Sequence, residues 1–473
     1  MRRTGNGGGS VAGHQTVLHI LSSRAMVLGL IGRNEDAYRD ACRGLRLART
    51  TGDRQWEADL LLDLSDIQAS LCRYQDMQDT ARQALGLMQE LGDRAGEAKS
   101  LNNIGVAGQN RGDSAAALEH FGRALRLREE CGDRSGQAVT LNNIGLVHDS
   151  LGDIDRALEH FRRSLAIREE IGDRSGQAES LNTIGMAHSH RDEPARALEC
   201  FASFLAIKRE IGDRRGQALG LNNIGYVLVR LGDYGRAFDH YEESQAIFEE
   251  IGDRRAQANT LSNIGMAKLG LGDQRPALDC FERSLAIREE IGDRHGQAQG
   301  HNNIGRLRIE QGRLQEARRE LNDALGIAAG LHESEMYRRI EVSLGTLALE
   351  EAASEQADAG DGLGRAAAHA ARAESLAVEL GSRTGTAEAL LLQARVEAMA
   401  GDWPSANRKY TEAIAAFEAL KQPLDTAKAC HYYGQSLLAH GDENEGAGRL
   451  RRAREIFERL GARGWLARTV NRE

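Results

Sequence analysis

The 473-residue chain is poor in residues that build β-sheets and in residues that break helices. Aromatic residues make up only 4% of it, and only 4 prolines are present. Because strands are enriched in β-branched and aromatic residues, few segments favour a sheet. Ala, Leu, Glu, Arg and Gln dominate instead, and these residues favour helices. The composition therefore predicts an all-α protein in which the 53 glycines punctuate the helices.

Three further absences narrow the range of functions that the chain can have. No apolar run approaches the roughly 20 residues that a membrane-spanning helix needs, and the first residues lack the apolar core of a signal peptide. The cysteines never form a Cys-x-x-Cys pair, which favours small core side chains in a reducing compartment. The 61 basic residues are interspersed with 70 acidic ones, so no basic patch is present to bind nucleic acid. We expect a cytoplasmic protein that binds neither a membrane nor nucleic acid.

What the sequence does contain is a period of 40 residues. Between successive Gly-Asp signals lie segments with apolar residues three and four apart, which is the spacing of an amphipathic helix. A Gly can end one helix in the left-handed conformation, and an Asp can cap the next. Each unit is therefore predicted to be two antiparallel helices, A and B. Gly-Asp-Arg recurs at 52–54, 92–94, 132–134, 172–174, 212–214, 252–254 and 292–294, and Leu-Asn-Asn-Ile-Gly or a variant at 101–105, 141–145, 181–185, 221–225, 261–265 and 301–305.

This pattern resembles the tetratricopeptide repeat. In the unit from 92, its large residue, Leu-Gly, Ala, Phe and small residue correspond to Leu101, Ile104, Gly105, Ala117, Phe121 and Ala124. The usual unit has about 34 residues. The longer form with a Gly-Asp-Arg linker is similar to that of the animal spindle-orientation scaffold, kinesin light chains and many bacterial signalling proteins. The resemblance implies a right-handed α-solenoid superhelix of stacked helix pairs.

The regularity of the period divides the chain. We expect a disordered tail over 1–11, a regular array of about eight helix pairs over 12–331, and divergent helix pairs over 332–473. Gly-Asp at 401–402 and 441–442 again lies 40 residues apart, so eleven pairs and a capping helix over 463–470 are predicted. The stretch 352–364 is interpreted as a longer loop. Phe204 replaces the Ala or Ser of the other units, which predicts a local change in superhelical pitch.

Motifs of enzymes and metal sites are missing. The sequence has no P-loop, His-Glu-x-x-His or Gly-x-Ser-x-Gly string. One column of His and Cys residues resembles a ligand set, but its members lie on helices roughly 10 Å apart, whereas zinc bonds are about 2 Å long. We therefore predict no enzyme activity, no cofactor and no metal site. The column consists of His120, His160, Cys200, His240 and Cys280.

The resemblance implies that a partner binds on helix A. We number the positions of each repeat so that Gly105 is the eighth; the second, fifth, ninth and twelfth positions of helix A then line the inner surface. Asn is a mediocre helix former, so helix propensity does not explain a column of it. A carboxamide can donate to and accept from any peptide backbone. Alternatively, the sixth-position residues bond a neighbouring helix and fix the angle between repeats. The fifth position is Asn102, Asn142, Asn182, Asn222 and Asn302, and the sixth is Asn103, Asn143, Asn223, Asn263 and Asn303.

The ninth position varies among the repeats, as it should if each repeat contacts a different side chain of a ligand. Met186 and Tyr226 are candidate apolar anchors, and Arg306 together with Arg308 is a candidate cationic site for a carboxylate. Ordinary packing is the alternative for each of them.

We predict an interaction scaffold or adaptor that binds an extended peptide segment of a partner protein in the groove of the A helices. A second hypothesis is a sensor that binds a small signalling peptide and acts on a separate output protein. A third is self-association of the nearly identical repeats into a structural assembly.

Overall fold

The computed structural model describes residues 8–30, 32–191, 193–331, 334–354, 359–420 and 422–470. Within these ranges the chain forms 23 α-helices and no strand. They make eleven antiparallel pairs followed by one final helix, the number that the 40-residue landmarks predict. The predicted all-α solenoid of antiparallel helix pairs is confirmed.

Odd-numbered helices are the A helices and even-numbered helices are the B helices of each pair. The helices are α1 (Gly8–Leu30), α2 (Asn34–Thr51), α3 (Arg54–Ser70), α4 (Tyr74–Leu91), α5 (Arg94–Asn110), α6 (Ser114–Glu130), α7 (Arg134–Ser150), α8 (Ile154–Glu170), α9 (Arg174–His190), α10 (Pro194–Glu210), α11 (Arg214–Leu231), α12 (Tyr234–Glu250), α13 (Arg254–Leu271), α14 (Gln274–Glu290), α15 (Arg294–Glu310), α16 (Leu314–Ala329), α17 (Ser334–Ser354), α18 (Ala359–Glu379), α19 (Arg383–Ala400), α20 (Trp403–Ala419), α21 (Pro423–His440), α22 (Glu443–Arg459) and α23 (Arg463–Val470).

The linker from each B helix to the next A helix is held by its own motif residues. Gly132 has φ +68°, the left-handed value that favours glycine after a helix. Asp133 accepts a hydrogen bond from the backbone N–H of Gly136 at 2.9 Å, which caps α7. Gln137 Nε2 donates to the backbone oxygen of Arg128 at 3.1 Å. The Gly and Asp roles were predicted, whereas the clamp made by the glutamine is visible only in the structure.

A buried arginine completes this linker. Arg128 is 7% exposed, and its Nη1 donates to the backbone oxygen of Gly136 at 2.5 Å and to Thr140 Oγ1 at 2.6 Å. Burial lowers the pKa of its guanidinium. Arg168 and Arg288 bond the equivalent glycine carbonyls of their own linkers. The side chain therefore ties the end of one pair to the start of the next.

The mid-helix glycines mark close contacts between helices A and B, as predicted. A Cβ atom on Gly145 would lie only 2.5 Å from the ring of Phe161 in α8. Phe161 is 1% exposed, so its ring is enclosed by the core. Glycine at this position makes room for an aromatic ring at the centre of the pair.

The chain divides into two compact units, Met1–Ala187 and His188–Glu473. In the first unit α3 contacts α5, and α5 contacts α7; in the second, α15 contacts α17, and α17 contacts α19. Successive B helices make much smaller contacts with one another in the described parts of both units. Within each unit the A helices are therefore the more closely spaced layer and form the inner face.

The final helix closes the second unit on itself. Helix α23 contacts α13, and Nη2 of Arg468 donates to Oε2 of Glu310 in α15 at 2.9 Å. The backbones of Gly272 and Gly464 touch, since a Cβ atom on Gly272 would lie 2.6 Å from the Cα atom of Gly464. The helix predicted as a cap thus packs against A helices that lie far earlier in the sequence.

Two boundaries predicted from the sequence need correction. The extra residues near 352–364 lengthen two helices rather than form a loop over that range, because α17 extends to Ser354 and α18 begins at Ala359, each with 21 residues. Alanine-rich sequence favours helix, and Gly362 packs against Ala352. Residues 355–358 lie outside the described residues. So do residues 1–7 of the predicted tail, whereas helix α1 already begins at Gly8.

The bulky Phe204 is accommodated by a small residue in the next A helix. Phe204 is 2% exposed, and a Cβ atom on Gly220 would lie 3.0 Å from its ring. In the first unit the equivalent residues are Ser164 and Ser180, whose hydroxyl oxygens are 3.2 Å apart. The serine pair is thus replaced by a large residue facing a glycine. The predicted change in pitch stays a prediction.

Candidate functional site on the A helices

The asparagine columns lie between neighbouring A helices and bond to each other. Nδ2 of Asn143 donates to Oδ1 of Asn102 at 3.0 Å. In the second unit, Nδ2 of Asn263 donates to Oδ1 of Asn222 at 2.8 Å. A sixth-position side chain thus bonds the fifth-position side chain of the preceding A helix, and these bonds form what we call the asparagine ladder. This arrangement matches the architectural alternative, and contact between these residues and a peptide stays a prediction.

Within each unit, some A helices depart from the pairing of two asparagines. Thr183 takes the place of a sixth-position Asn, and its hydroxyl donates to Oδ1 of Asn142 at 3.1 Å. Asn103 bonds Ser65 Oγ at 2.8 Å and Asp66 Oδ1 at 2.7 Å instead of another asparagine. In the second unit, the Oδ1 atoms of Asn302 and Asn303 are buried and have no hydrogen-bond partner among the described residues. The last ladder bond there therefore joins α11 and α13.

Exposure separates the asparagines into two groups. Some are buried and belong to the helix interface, whereas others are half-buried and reach the inner face. The buried members are Asn102, Asn103, Asn222, Asn302 and Asn303, and the half-buried members are Asn142, Asn143, Asn182, Asn223 and Asn263.

Three of the ninth-position side chains are more exposed than the asparagines. Met186, Tyr226 and Met266 are 43%, 49% and 39% exposed. In the second unit Leu219, at the second position of α11, is 39% exposed and lies two helical turns before Tyr226. Leu219, Tyr226 and Met266 are thus exposed apolar side chains at inner-face positions of α11 and α13, and we call these three residues the apolar strip. The sequence analysis missed Leu219, although it had placed the second position on the inner surface.

The ninth position of one A helix faces the second position of the next. In the first unit this relation brings Asp66 of α3 and Lys99 of α5 into an ion pair with 3.0 Å between Oδ2 and Nζ. In the second unit the same two positions hold Arg306 of α15 and Arg339 of α17. Burial, and then the charge of Arg306, lower the pKa of Arg339. Two arginines therefore occupy the positions that hold a salt bridge in the first unit.

The predicted pairing of Arg306 with Arg308 needs correction. Arg308 is turned toward the B helices, where its guanidinium lies 3.6 Å from Glu282 and 3.5 Å from Glu316. Residues two apart on a helix point about 200° apart, so these two arginines cannot share one ligand. Arg339 is the residue that joins Arg306 on the inner face.

The described ranges contain neither a membrane-spanning helix nor a cluster of metal ligands. None of the helices there has a stretch long and apolar enough to span a bilayer. No group of three or more His, Cys, Asp or Glu side chains in those ranges is arranged to hold a metal ion.

Comparison with solved structures places the fold among helical repeat proteins. A Rap protein complexed with competence and sporulation factor shares 14% identity, with coverage of 94% of this chain and 99% of that one and a TM-score of 0.50. The apo quorum sensor NprR from B. thuringiensis shares 16% identity, covers 76% and 97%, and has a TM-score of 0.50. A signal transduction ATPase with a tetratricopeptide repeat sensor from Pyrococcus horikoshii shares 15%, covers 74% and 54%, and has a TM-score of 0.53. At these identities the likeness shows the fold alone.

The family comparison agrees with the repeat pattern. The model described as "Tetratricopeptide repeat" matches residues 96–170, 136–210, 216–290 and 277–330. Among curated proteins, none matches the sequence. The 40-residue helix pairs and the matched model show that residues 96–210 and 216–330 consist of tetratricopeptide repeats.

Proposed function

We propose that this protein is an interaction scaffold that binds an extended peptide segment of a partner protein across the A helices of its second unit. The observation that carries the proposal is the apolar strip of Leu219, Tyr226 and Met266. Helical repeat proteins bind ligands on the face formed by successive repeats. Grouped apolar side chains exposed on such a face mark an interaction site, and the core of the unit makes no use of them.

The asparagines next to this strip supply the polar part of the surface. Asn223 and Asn263 are half-buried and lie three residues before Tyr226 and Met266, on the same side of their helices. Their carboxamides can bond the backbone of a peptide whose side chains contact the strip. The ladder between Asn222 and Asn263 keeps the two helices at a fixed spacing, which sets the register of the peptide.

A sensor of a signalling peptide is the second candidate. The Rap protein with a similar fold is complexed with competence and sporulation factor, and its likeness covers 94% of this chain. A fold of this kind can therefore accompany binding of a signalling factor. For this chain, the output would lie on a separate protein.

The test is capture of partners from a lysate of the source organism on immobilised full-length protein. Tyr226→Ala/Met266→Ala removes most of the strip without opening the core, because both side chains are exposed. The matched control is Leu231→Ala/Ile251→Ala, which removes side chains that are 45% and 38% exposed but lie where α11 and α12 end.

We expect a protein or peptide that binds wild type and the control to be lost from the Tyr226/Met266 variant, while the circular dichroism of all three proteins is the same. Equal recovery of every partner by both variants would contradict the proposed surface. Light scattering at several concentrations tests the third hypothesis, because self-association would raise the mass with concentration.

A further inference from the structure

We infer that a cavity between the B helices α12 and α14 binds a small neutral molecule with an apolar body and one N–H donor. The cavity has a volume of about 370 Å³ and lies in the second unit, with side chains of α13 as its floor. Pockets that hold small molecules have volumes of roughly 300–1,000 Å³. The site lies among the B helices, so it is separate from the peptide surface proposed on the A helices, and either can exist without the other.

The cavity is lined by a residue that departs from a column of leucines. Position 245 is Gln, whereas the same place in the other regular repeats is Leu. In the neighbouring repeats, Leu205 packs in the core cluster that contains Ile224, and Leu285 packs on the cluster that contains Ile304. Gln245 therefore stands where a leucine would cover the floor. The leucines of the column are Leu45, Leu85, Leu125, Leu165, Leu205, Leu285 and Leu325.

The isoleucine on the floor shows the missing contact. Ile264 of α13 is half-buried and lines the cavity. Its counterparts Ile224 and Ile304 are 7% and 3% exposed. An apolar surface that is covered in the neighbouring repeats is thus open in this one. Leu261 and Pro276 add to the apolar lining.

Glutamine at this place lowers the stability of the free protein, which favours a role in binding. Nε2 of Gln245 donates to Oε1 of Glu249 at 2.9 Å, whereas Oε1 of Gln245 is buried and has no hydrogen-bond partner among the described residues. An unsatisfied buried acceptor and an unfilled apolar space are both unfavourable. The terminal torsion of a glutamine is soft, so this oxygen can turn into the cavity and accept a hydrogen bond from a ligand.

The charged side chains around the cavity favour a neutral ligand. Asp279 and Arg283 lie 3.7 Å apart and form an ion pair. Nζ of Lys268 lies 5.2 Å from the centre of an aromatic ring of α12. Glu249 accepts the bond from the carboxamide, and Glu242 is exposed. Because both signs of charge are present and most of these groups have partners, an ion would gain little here.

The probe for the test is indole, which combines a flat apolar body with one N–H donor. Benzofuran has nearly the same shape but carries an oxygen in place of the N–H group. Full-length protein labelled with ¹³C at the isoleucine δ1-methyl groups is titrated with each compound and followed by NMR. Ile264→Val identifies the Ile264 signal by its absence, and equivalent variants identify Ile224 and Ile304 as internal controls.

We expect indole to shift the Ile264 signal saturably and to leave the Ile224 and Ile304 signals unchanged. Benzofuran should bind about tenfold more weakly, because it leaves the acceptor of Gln245 unsatisfied. Gln245→Leu should abolish the shift and raise the urea midpoint, since it restores the leucine of the other repeats.

The matched control is Gln75→Leu. Gln75 lies on an exposed part of the B helix α4, and its Nε2 donates to Oδ2 of Asp79 at 3.1 Å, again an acid four residues later. This variant makes the same chemical change far from the cavity and should bind indole as wild type does.

Each part of the inference has its own contrary result. The absence of a saturable Ile264 shift with indole, or the same shift in Gln245→Leu, would overturn the cavity as a binding site. Equal affinity for indole and benzofuran would overturn the role of the glutamine oxygen.

Two further outcomes would also contradict the inference. An Ile264 signal that moves with protein concentration alone would show that a second copy of the chain occupies the cavity, and would overturn the assignment to a small molecule. A lower urea midpoint of Gln245→Leu would show that the fold itself requires the glutamine. Neither outcome affects the A helices, so the proposed function stands or fails by its own experiment.

Discussion

Gly145→Ala tests whether the ring contact inside a helix pair is what requires glycine. In a helix interior Ala is more favourable than Gly by roughly 1 kcal/mol. At Gly145 the new Cβ atom would lie 2.5 Å from the ring of Phe161, and overpacking a core costs roughly 1–3 kcal/mol. Phe161 is 1% exposed, so the ring has no solvent to move into. We expect a net loss of up to about 2 kcal/mol in the free energy of unfolding.

A matched control isolates the effect of helix propensity on the free energy of unfolding. Gly86 lies in α4, and no heavy atom outside the local helix backbone lies within 4 Å of a Cβ atom built there. Gly86→Ala should therefore raise the stability by up to about 1 kcal/mol. Urea unfolding followed by circular dichroism compares the midpoints, and similar slopes show that the same structure unfolds in each protein.

A second substitution tests the cause directly. Phe161→Ala removes the ring, which in wild type should cost roughly 3–5 kcal/mol. In the Gly145→Ala background the same truncation also removes the clash, so its additional effect should be smaller. If Gly145→Ala and Gly86→Ala shift the midpoint upward alike, the reasoning from the Phe161 contact is wrong.

Three further predictions concern other contacts. Phe204→Ser should lower the urea midpoint by leaving a cavity, and adding Gly220→Ser should recover part of the loss by restoring the serine pair of the first unit. His301 donates a hydrogen bond from Nδ1 to the Glu320 carboxylate, which raises the pKa of His301. The contribution of this pair to stability is therefore full below the unfolded-state pKa and is lost as pH rises through the higher folded-state value. Glu320→Gln should flatten this dependence of the urea midpoint on pH. Arg468→Glu should speed amide hydrogen exchange in α23 and leave α19 unchanged, because it places like charges against the glutamate of α15.

The sequence predicts helix boundaries well where the signal is local. Asp133 caps α7 through a bond to a residue three positions later, so the Gly-Asp motif itself contains the information. The range 352–364 was misjudged because its glycines were interpreted as loop residues. Gly362 in fact provides a small contact for Ala352 on the paired helix. That role depends on a neighbouring helix and cannot be seen in the local composition.

The site was predicted only in part for the same reason. The ninth position of helix A follows from the repeat, so Tyr226 and Arg306 could be found by counting. Arg339 could not be found that way, because the period breaks after residue 331 and its register becomes clear only when Gly345 packs against His369 and Leu392. The sequence left open whether a sixth-position residue such as Asn143 bonds a neighbouring helix or a peptide, since the bond to Asn102 depends on how two A helices pack.

The packing of α23 against α13 and α15 has a consequence for how the number of helix pairs can change in evolution. Nearly identical 40-residue segments favour unequal recombination, which adds or removes whole helix pairs. In the first unit, removal of α5 and α6 would leave a Gly-Asp-Arg linker before α7 and would place Asn143 at the position from which Asn103 bonds Ser65 and Asp66. In the second unit, a pair gained or lost between α15 and α23 would move Arg468 away from Glu310 and Gly464 away from Gly272. The number of pairs in the second unit is therefore constrained by its own geometry, whereas the first unit is free to vary.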